Sequence, residues 1–472
     1  MDLLDACFAG VAGQLTLLRA GRVTSVALVD AYLDRIERLD PALNAYRCVF
    51  AERARAEAVA ADARRAAGED GALLGVPVAV KEDTDLAGLP TTSGTDAVTS
   101  VAGADAEVVA RLRAAGAIVL GRTRAPELCL WPFTESTAGG VTRNPWSHAH
   151  SPGGSSGGAA AAVAAGLAAG AVGTDGGGSI RLPSAASGVF GLKPQRGRVS
   201  LAPHPQVWTG LTVAGPITRS VADAALLLDV LHGPAAGDAH TAVAPTVSFE
   251  RAAAGEPGRL RVAVSLRPWP MGTRVDPQVR DAVLATARVL AAQGHRVLLR
   301  NPPLADPTAM GSYSPRYLHS AARDVAGVDL PQRLSSSTHA IAALGRRVSP
   351  RALAASVRYG QRVAARVNTL FEDVDVLLTP VAPSTALRVG ELTGRGWLAA
   401  LLGAQRHAAF ATLWNLAGNP AASVPAGFDT QGLPLAVQVV GRQHDETTVL
   451  ALAAQLERVR PWADRRPPTA ER

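Results

Sequence analysis

The stretch that decides the fold class reads Gly75-Val76-Pro77-Val78-Ala79-Val80-Lys81. It is a short, unbroken apolar run with a single charge at its end, the pattern of a buried strand. Downstream, Val108 to Ala115 has helical spacing, and Ala117-Ile118-Val119-Leu120 reads as the next strand. Strands alternating with helices argue for an α/β fold with a largely parallel sheet. Upstream, a short helix is expected around Leu15, Leu17 and Leu18, ended by Gly21. Thr24-Ser25 caps a second helix with Val26, Val29, Leu33 and Ile36 on one face, and Pro41 is placed just beyond its end. A third runs from about Phe50 to Ala67.

Residues 134–158 have loop composition, followed by an Ala-rich helix from Ser155-Ser156 to about Gly170. A strand, Ala171 to Thr174, then leads to a further helix starting close to Ser179. Residues 234–258 are poor in pattern. Leu260 to Leu266 and Arg296 to Leu299 read as strands flanking an Ala-rich helix, and Glu372 to Thr379 and Leu435 to Val440 as two more. Residues 465–472 are polar and Pro-rich, and are expected to be disordered.

Composition narrows the function classes. An apolar fraction of 47% with 18% charge describes a globular chain with an ample core. The net charge of +7 comes from scattered arginines with no run of five or more basic residues, and aromatics are 4%, so no nucleic-acid partner is expected. Cys7, Cys48 and Cys129 are far apart and odd in number, which fits neither a disulfide framework nor a zinc site and favours a reducing compartment. No HExxH occurs, and His148 and His150 are read as loop-surface residues, so neither a metal nor a cofactor is implied. The opening MDLLDACFAG carries acids where a secretory leader needs bases, and the Ala/Gly run from Gly157 to Thr174 is short for a membrane span. A cytoplasmic protein without membrane contact is expected.

The basic residues hold one anomaly. Of 47 Lys and Arg, only Lys81 and Lys193 are lysines. Arg keeps its proton under ordinary conditions whereas a buried Lys can lose one, so a retained lysine is a candidate for proton chemistry. Chance survival, or a pocket needing a thin side chain, would explain it equally. Two Gly-rich segments hold serines: Ser151-Pro152-Gly153-Gly154-Ser155-Ser156-Gly157-Gly158 and Thr174-Asp175-Gly176-Gly177-Gly178-Ser179. Such loops can turn N–H groups toward one point as an oxyanion hole, make a tight turn, or cradle a phosphate. GxxxxGK[ST] and SxxK are absent, and the overlapping GxSxG matches between Gly153 and Gly158 follow a loop rather than a strand.

Several ordered blocks together resemble the amidase-signature hydrolases. They are GVPVAVKEDTD (75–85), NPWSHAHSPGGSSGG (144–158), GTDGGGSIRLPSAASGVFGLKPQRGRVS (173–200), GPITRSVADAALLLDVL (215–231) and GNPAASVPAGFDTQGLPLAVQVVG (418–441). The resemblance implies one domain over residues 1–472, with N-terminal helices (1–70), a catalytic core (71–231) and the remainder of the sheet and substrate-side elements (232–464). Its central sheet would be mixed and mostly parallel, with helices on both faces. It further implies a Ser–Ser–Lys triad: Ser179 as nucleophile, Ser155 as bridge with its Gly154 peptide bond in cis, and Lys81 as base. Lys193 falls in the GLKP block with no chemical role. The N–H groups of Gly176, Gly177, Gly178 and Ser179 would form the oxyanion hole.

The implied activity is hydrolysis of a carboxylic amide to acid and amine or ammonia through an acyl-enzyme. The same triad serves esters, carbamates and oligoamides. Some relatives act in a tRNA amidation complex, but their substrate-reading residues are not recognised in this C-terminal third. The implied partner is a small-molecule substrate, with a homodimer as the candidate assembly. Cys129, Leu130, Trp131 and Phe133 lie where pocket residues fall in some relatives, although core packing would account for them as well. Two positions depart from the family pattern: Gly176, usually larger, and Glu82, usually Asp. Free Lys titrates near 10.4, and burial of Lys81 would favour the neutral amine a serine nucleophile needs.

Overall fold

A computed structural model describes residues 2–269, 272–303 and 307–471. Its strands are β1 (Tyr46–Val49), β2 (Pro77–Lys81), β3 (Ile118–Thr123), β4 (Glu135–Ser136), β5 (Gly140–Val141), β6 (Gly170–Asp175), β7 (Phe190–Lys193), β8 (Val213–Thr218), β9 (Arg261–Val264), β10 (Arg296–Leu299), β11 (Val376–Pro380), β12 (Ala421–Phe428) and β13 (Pro434–Gly441). All but β4 and β5 join one eleven-stranded sheet in the order β1-β3-β2-β6-β8-β7-β12-β13-β11-β9-β10.

Strand β2 lies between two parallel neighbours, β3 and β6, and every residue in it is buried. That is why its sequence is continuously apolar rather than alternating. Parallel pairing recurs at β11-β9-β10, while β1–β3 and the run from β6 through β8, β7, β12 and β13 to β11 are antiparallel. The α/β fold with one mixed sheet and flanking helices is thus the one the chain forms.

The Ala-rich helix, Gly157–Ala164, is buried on every side, as expected of a helix apolar all round. A second group of helices, including Ser314–Ala326, Pro350–Asn368 and Trp397–His407, builds a separate apolar cluster with Trp131, Trp208, Tyr313, Tyr317 and Trp414. No helix among the described residues is long and apolar enough to cross a membrane.

Several local expectations need correction. Pro41 lies inside helix Ser25–Leu43, whose end is set by Asn44 in the left-handed region, with φ 54°. The Ala-rich helix stops at Ala164, and the chain turns through Gly166 before β6. Residues Leu370–Asp373 are helical, so strand β11 starts only at Val376. The C-terminal stretch is packed: Pro468–Glu471 forms a 3-10 turn, Thr469 Oγ1 donates to Pro145 O at 2.7 Å, and Ala470 is buried. His150 is buried too, with Nδ1 2.9 Å from Ser147 Oγ.

Candidate active site

Because β2 and β6 are parallel and adjacent, their carboxyl ends open on the same edge, where open α/β sheets place their sites. Lys81 ends β2 and Thr174 stands at the same end of β6. The fully buried Lys81 Nζ donates to Thr174 Oγ1 at 2.7 Å and to Ser155 Oγ at 2.8 Å, and lies 3.0 Å from Asp83 Oδ2. Thr174 donates its own hydroxyl proton to Asp83 Oδ2 at 2.6 Å, leaving a lone pair for the lysine. Three acceptors match the three N–H bonds of an ammonium.

The charge state follows from competition. Burial works against a charged Lys81, but the Asp83 carboxylate together with Cys129 outweighs it and holds the lysine above its ordinary value. Cys129 Sγ sits 3.4 Å from Asp83 Oδ2, and burial pushes its thiol up. The neutral resting amine expected from burial alone is therefore not what this site favours. The lysine that burial does pull down is Lys193. Its Nζ donates to Pro194 O at 2.8 Å, and burial together with Arg181 pushes it well below its ordinary value.

The two serine loops are stitched together. Ser156 N donates to Ser179 O at 3.1 Å and Ser156 Oγ to Thr174 O at 3.2 Å, and the Gly154–Ser155 peptide bond is cis. The loop after β6 wraps a fully buried carboxylate. Asp175 Oδ1 accepts from Gly178 N at 2.7 Å and Asn415 Nδ2 at 2.8 Å, and Oδ2 from Ile180 N at 3.1 Å. Arg181 grips both oxygens at 3.0 Å and reaches Gln438 Oε1 at 2.6 Å. Burial opposes the charge on Asp175, but Arg181 holds its carboxyl well below the usual range.

This framework corrects one expected donor. The N–H of Gly178 points into Asp175, away from any substrate, and the residue must be glycine there. Its φ is +121°, and a Cβ would stand 2.7 Å from Ala411 Cβ. The N–H groups of Gly176, Gly177 and Ser179 donate to no acceptor among the described residues and are the remaining oxyanion candidates. The Ser179 hydroxyl is likewise without a hydrogen bond among those residues. Of the expected relay, the Lys81–Ser155 contact is formed and a Ser155–Ser179 bond is not. Resting sites commonly leave such contacts to tighten on substrate binding.

Ser179 opens on a narrow cleft of about 60 Å³ walled by Cys129, Leu130, Trp131, Trp208, Tyr313 and Tyr317, and no charged side chain lines it. Phe133 is not part of the wall. Its ring stacks behind Trp131 at 5.5 Å, and its backbone abuts Gly154. Both departures from the family pattern have a local cause. A Cβ on Gly176 would lie 2.7 Å from Trp208 Cε3, so the indole occupies the space a larger residue would take. Glu82 is buried and reaches Ala125 N at 2.6 Å and Thr92 Oγ1 at 2.5 Å, bracing the strand ends. Among the described residues no group of three His, Cys, Asp or Glu could hold a metal.

Sequence reasoning left Asp83, Thr174, Trp208, Tyr313 and Tyr317 unassigned. Two signals were available: Asp83 stands at i+2 from Lys81 just past a strand, and Tyr313 and Tyr317 are spaced i, i+4.

Comparison with known proteins completes the picture. Residues 27–450 match the family described as Amidase. AmiB2 of Mycobacterium tuberculosis (strain ATCC 25618 / H37Rv), provisionally named an amidase, is 50% identical over 468 residues, which is 99% of each chain. A 6-aminohexanoate cyclic dimer hydrolase in complex with substrate superposes with a TM-score of 0.92 at 33% identity, covering 98% of this chain and 99% of the other. A bacterial aryl acylamidase does so with a TM-score of 0.87 at 27% identity, covering 98% and 97%.

Proposed function

Because this chain belongs to the amidase signature family, we propose that it hydrolyses neutral carboxylic amides with an apolar or aromatic acyl group, through an acyl-enzyme on Ser179. The observation that carries this reading is the aromatic-walled cleft on which Ser179 opens, free of charged lining residues and reaching Gly154, the residue before the Ser155 of the Lys81–Ser155 pair. Ser179 Oγ attacks the carbonyl carbon, and its proton passes through Ser155 to neutral Lys81. The developing oxyanion is met by the N–H groups of Gly176, Gly177 and Ser179. Collapse breaks the C–N bond, and the same proton returns through Ser155 to the leaving amine. Water then repeats the sequence on the ester.

The cleft also discriminates. Glutamine would bring a charged α-amino and α-carboxyl group into a site with no charged wall, and unpaired buried charge costs several kcal/mol. A neutral anilide or acyl amide carries no such penalty. On a panel of amides at equal concentration, kcat/KM for neutral aryl and alkyl amides is expected to exceed that for glutamine by at least about 100-fold. Comparable turnover of glutamine would overturn this substrate class. The 6-aminohexanoate oligomer and aryl acylamide substrates named for the structural neighbours belong in the same panel.

Asp83 sets the pH dependence. With Lys81 held above its ordinary value, the neutral amine is the minor form at neutral pH. Activity should therefore climb with pH across the neutral and mildly alkaline range. Asp83→Asn keeps an acceptor for Thr174 and removes only the charge. An opposite charge at this distance typically shifts a pKa by about 1–3 units, so the acid limb of kcat/KM moves down by one unit or more. Two lysines give two Nζ-adjacent signals in a lysine-labelled NMR titration, so the shift can be read directly at Lys81. An unchanged profile in the variant would contradict the assignment.

A further inference from the structure

Away from Ser179, a cleft of about 510 Å³ with mixed polar and apolar walls opens between residues 206–210, 239–240 and the helices Ser314–Ala326 and Pro350–Asn368. Its floor holds Arg316 and Arg196, and its mouth Gln206, His240 and Gln361. No Asp or Glu lines it. Arg316 is 5% exposed, and its guanidinium lies between Gly210 and Gly360, each of which would bring a Cβ within 3.8 Å of it. Its one hydrogen bond among the described residues goes from Nη2 to Thr209 O at 2.6 Å. Arg196 Nη2 donates to Leu416 O at 2.9 Å and to Asn415 O.

Neither arginine has a carboxylate partner among the described residues, and the Nε atoms of both are buried without an acceptor there. The two cations feel each other: burial and Arg316 lower Arg196, and burial with both guanidiniums lowers His240. Two such arginines line this one cleft, whereas Arg181 and Arg198 are each compensated by a buried carboxylate, Asp175 and Glu446. Buried charges are ordinarily paired, and two convergent guanidiniums with donor side chains at the rim present the complement of a dianion.

We propose that this cleft is a binding site for a phosphate group, free or as a small monoester, held by Arg196 and Arg316 with His240 at its mouth. Binding forms only hydrogen bonds and ion pairs and consumes nothing. The site adjoins the catalytic cleft through one segment: Arg316 holds Thr209, the residue after the wall residue Trp208. The proposal does not depend on the amide-hydrolase reading, since its readout is binding.

Isothermal titration of the full chain with inorganic phosphate, and in a second arm with glycerol 2-phosphate, tests it against sodium chloride at matched ionic strength. Saturable binding is expected, with a rise in melting temperature of about 2 °C at a hundredfold excess over Kd. The monoester arm separates a free-ion site from one that also accepts an esterified phosphate. Arg316→Gln and Arg196→Gln should each weaken phosphate binding at least tenfold, so either variant suffices if the other fails to fold. Phosphate that acts no differently from chloride on the wild-type chain, or binding that survives in a folded variant, would overturn the proposal.

Discussion

Replacing Ser179 by alanine is expected to lower kcat/KM for an amide by at least about 10⁴-fold while leaving the melting temperature within about 1 °C of wild type. The first half follows from the absence of a substitute nucleophile. Ser155 is 1% exposed and accepts the Lys81 proton, and Ser156 is turned toward Thr174 O. Removing a catalytic nucleophile typically costs 10⁴–10⁶ in rate, with oxyanion donors and binding accounting for the remainder. The second half follows from the hydroxyl making no hydrogen bond among the described residues, so its loss strands no partner. Activity and stability should separate cleanly at this residue.

Lys81 should behave in the opposite way, coupling activity to stability. Lys81→Ala and Lys81→Arg are both expected to lose about 10³-fold or more in kcat/KM. Alanine provides no base, and a guanidinium cannot release its proton at any working pH. The alanine variant also strands Asp83 beside an uncharged cavity, with its Oδ1 already lacking a partner among the described residues. Breaking a buried pair by removing one member costs on the order of 3–5 kcal/mol. Asp83 is 15% exposed, and that places the expected loss toward the lower end, near 3 kcal/mol by the same principle. Chemical denaturation measures it. An arginine variant with near wild-type turnover would remove Lys81 from proton transfer.

How much of this was legible in the sequence depended on whether a feature is local. Strand β2 could be read because both its faces are covered by parallel neighbours and its residues are therefore uniformly apolar. Strands β8 and β12 were not, because each carries a proline and a glycine, Gly215-Pro216 and Pro425 with Gly427, residues that ordinarily argue against a strand. The bulge between Pro425 and Gly427 shows how β12 accommodates them.

The lysine–serine pair was legible through motif spacing. The charge on Lys81 was not, since it depends on Asp83 and on a threonine delivered by β6, 91 positions away from that aspartate. The oxyanion loop was legible as three glycines, but not which N–H each one turns outward. That is set by Asp175, itself fixed by Arg181 and by Asn415 from a distant helix. The aromatic wall of the cleft joins Trp208 to Tyr313 and Tyr317, residues about a hundred positions apart, by tertiary packing alone.

The central claim is a covalent intermediate on one serine. Intact and peptide mass spectrometry of enzyme acid-quenched during turnover of an activated aryl amide or ester tests it most directly. The account predicts one added acyl mass per chain, on the peptide containing Ser179, and none on the Ser179→Ala protein. An acyl group on any other residue, or steady turnover with no acylated chain at any quench time, would contradict it.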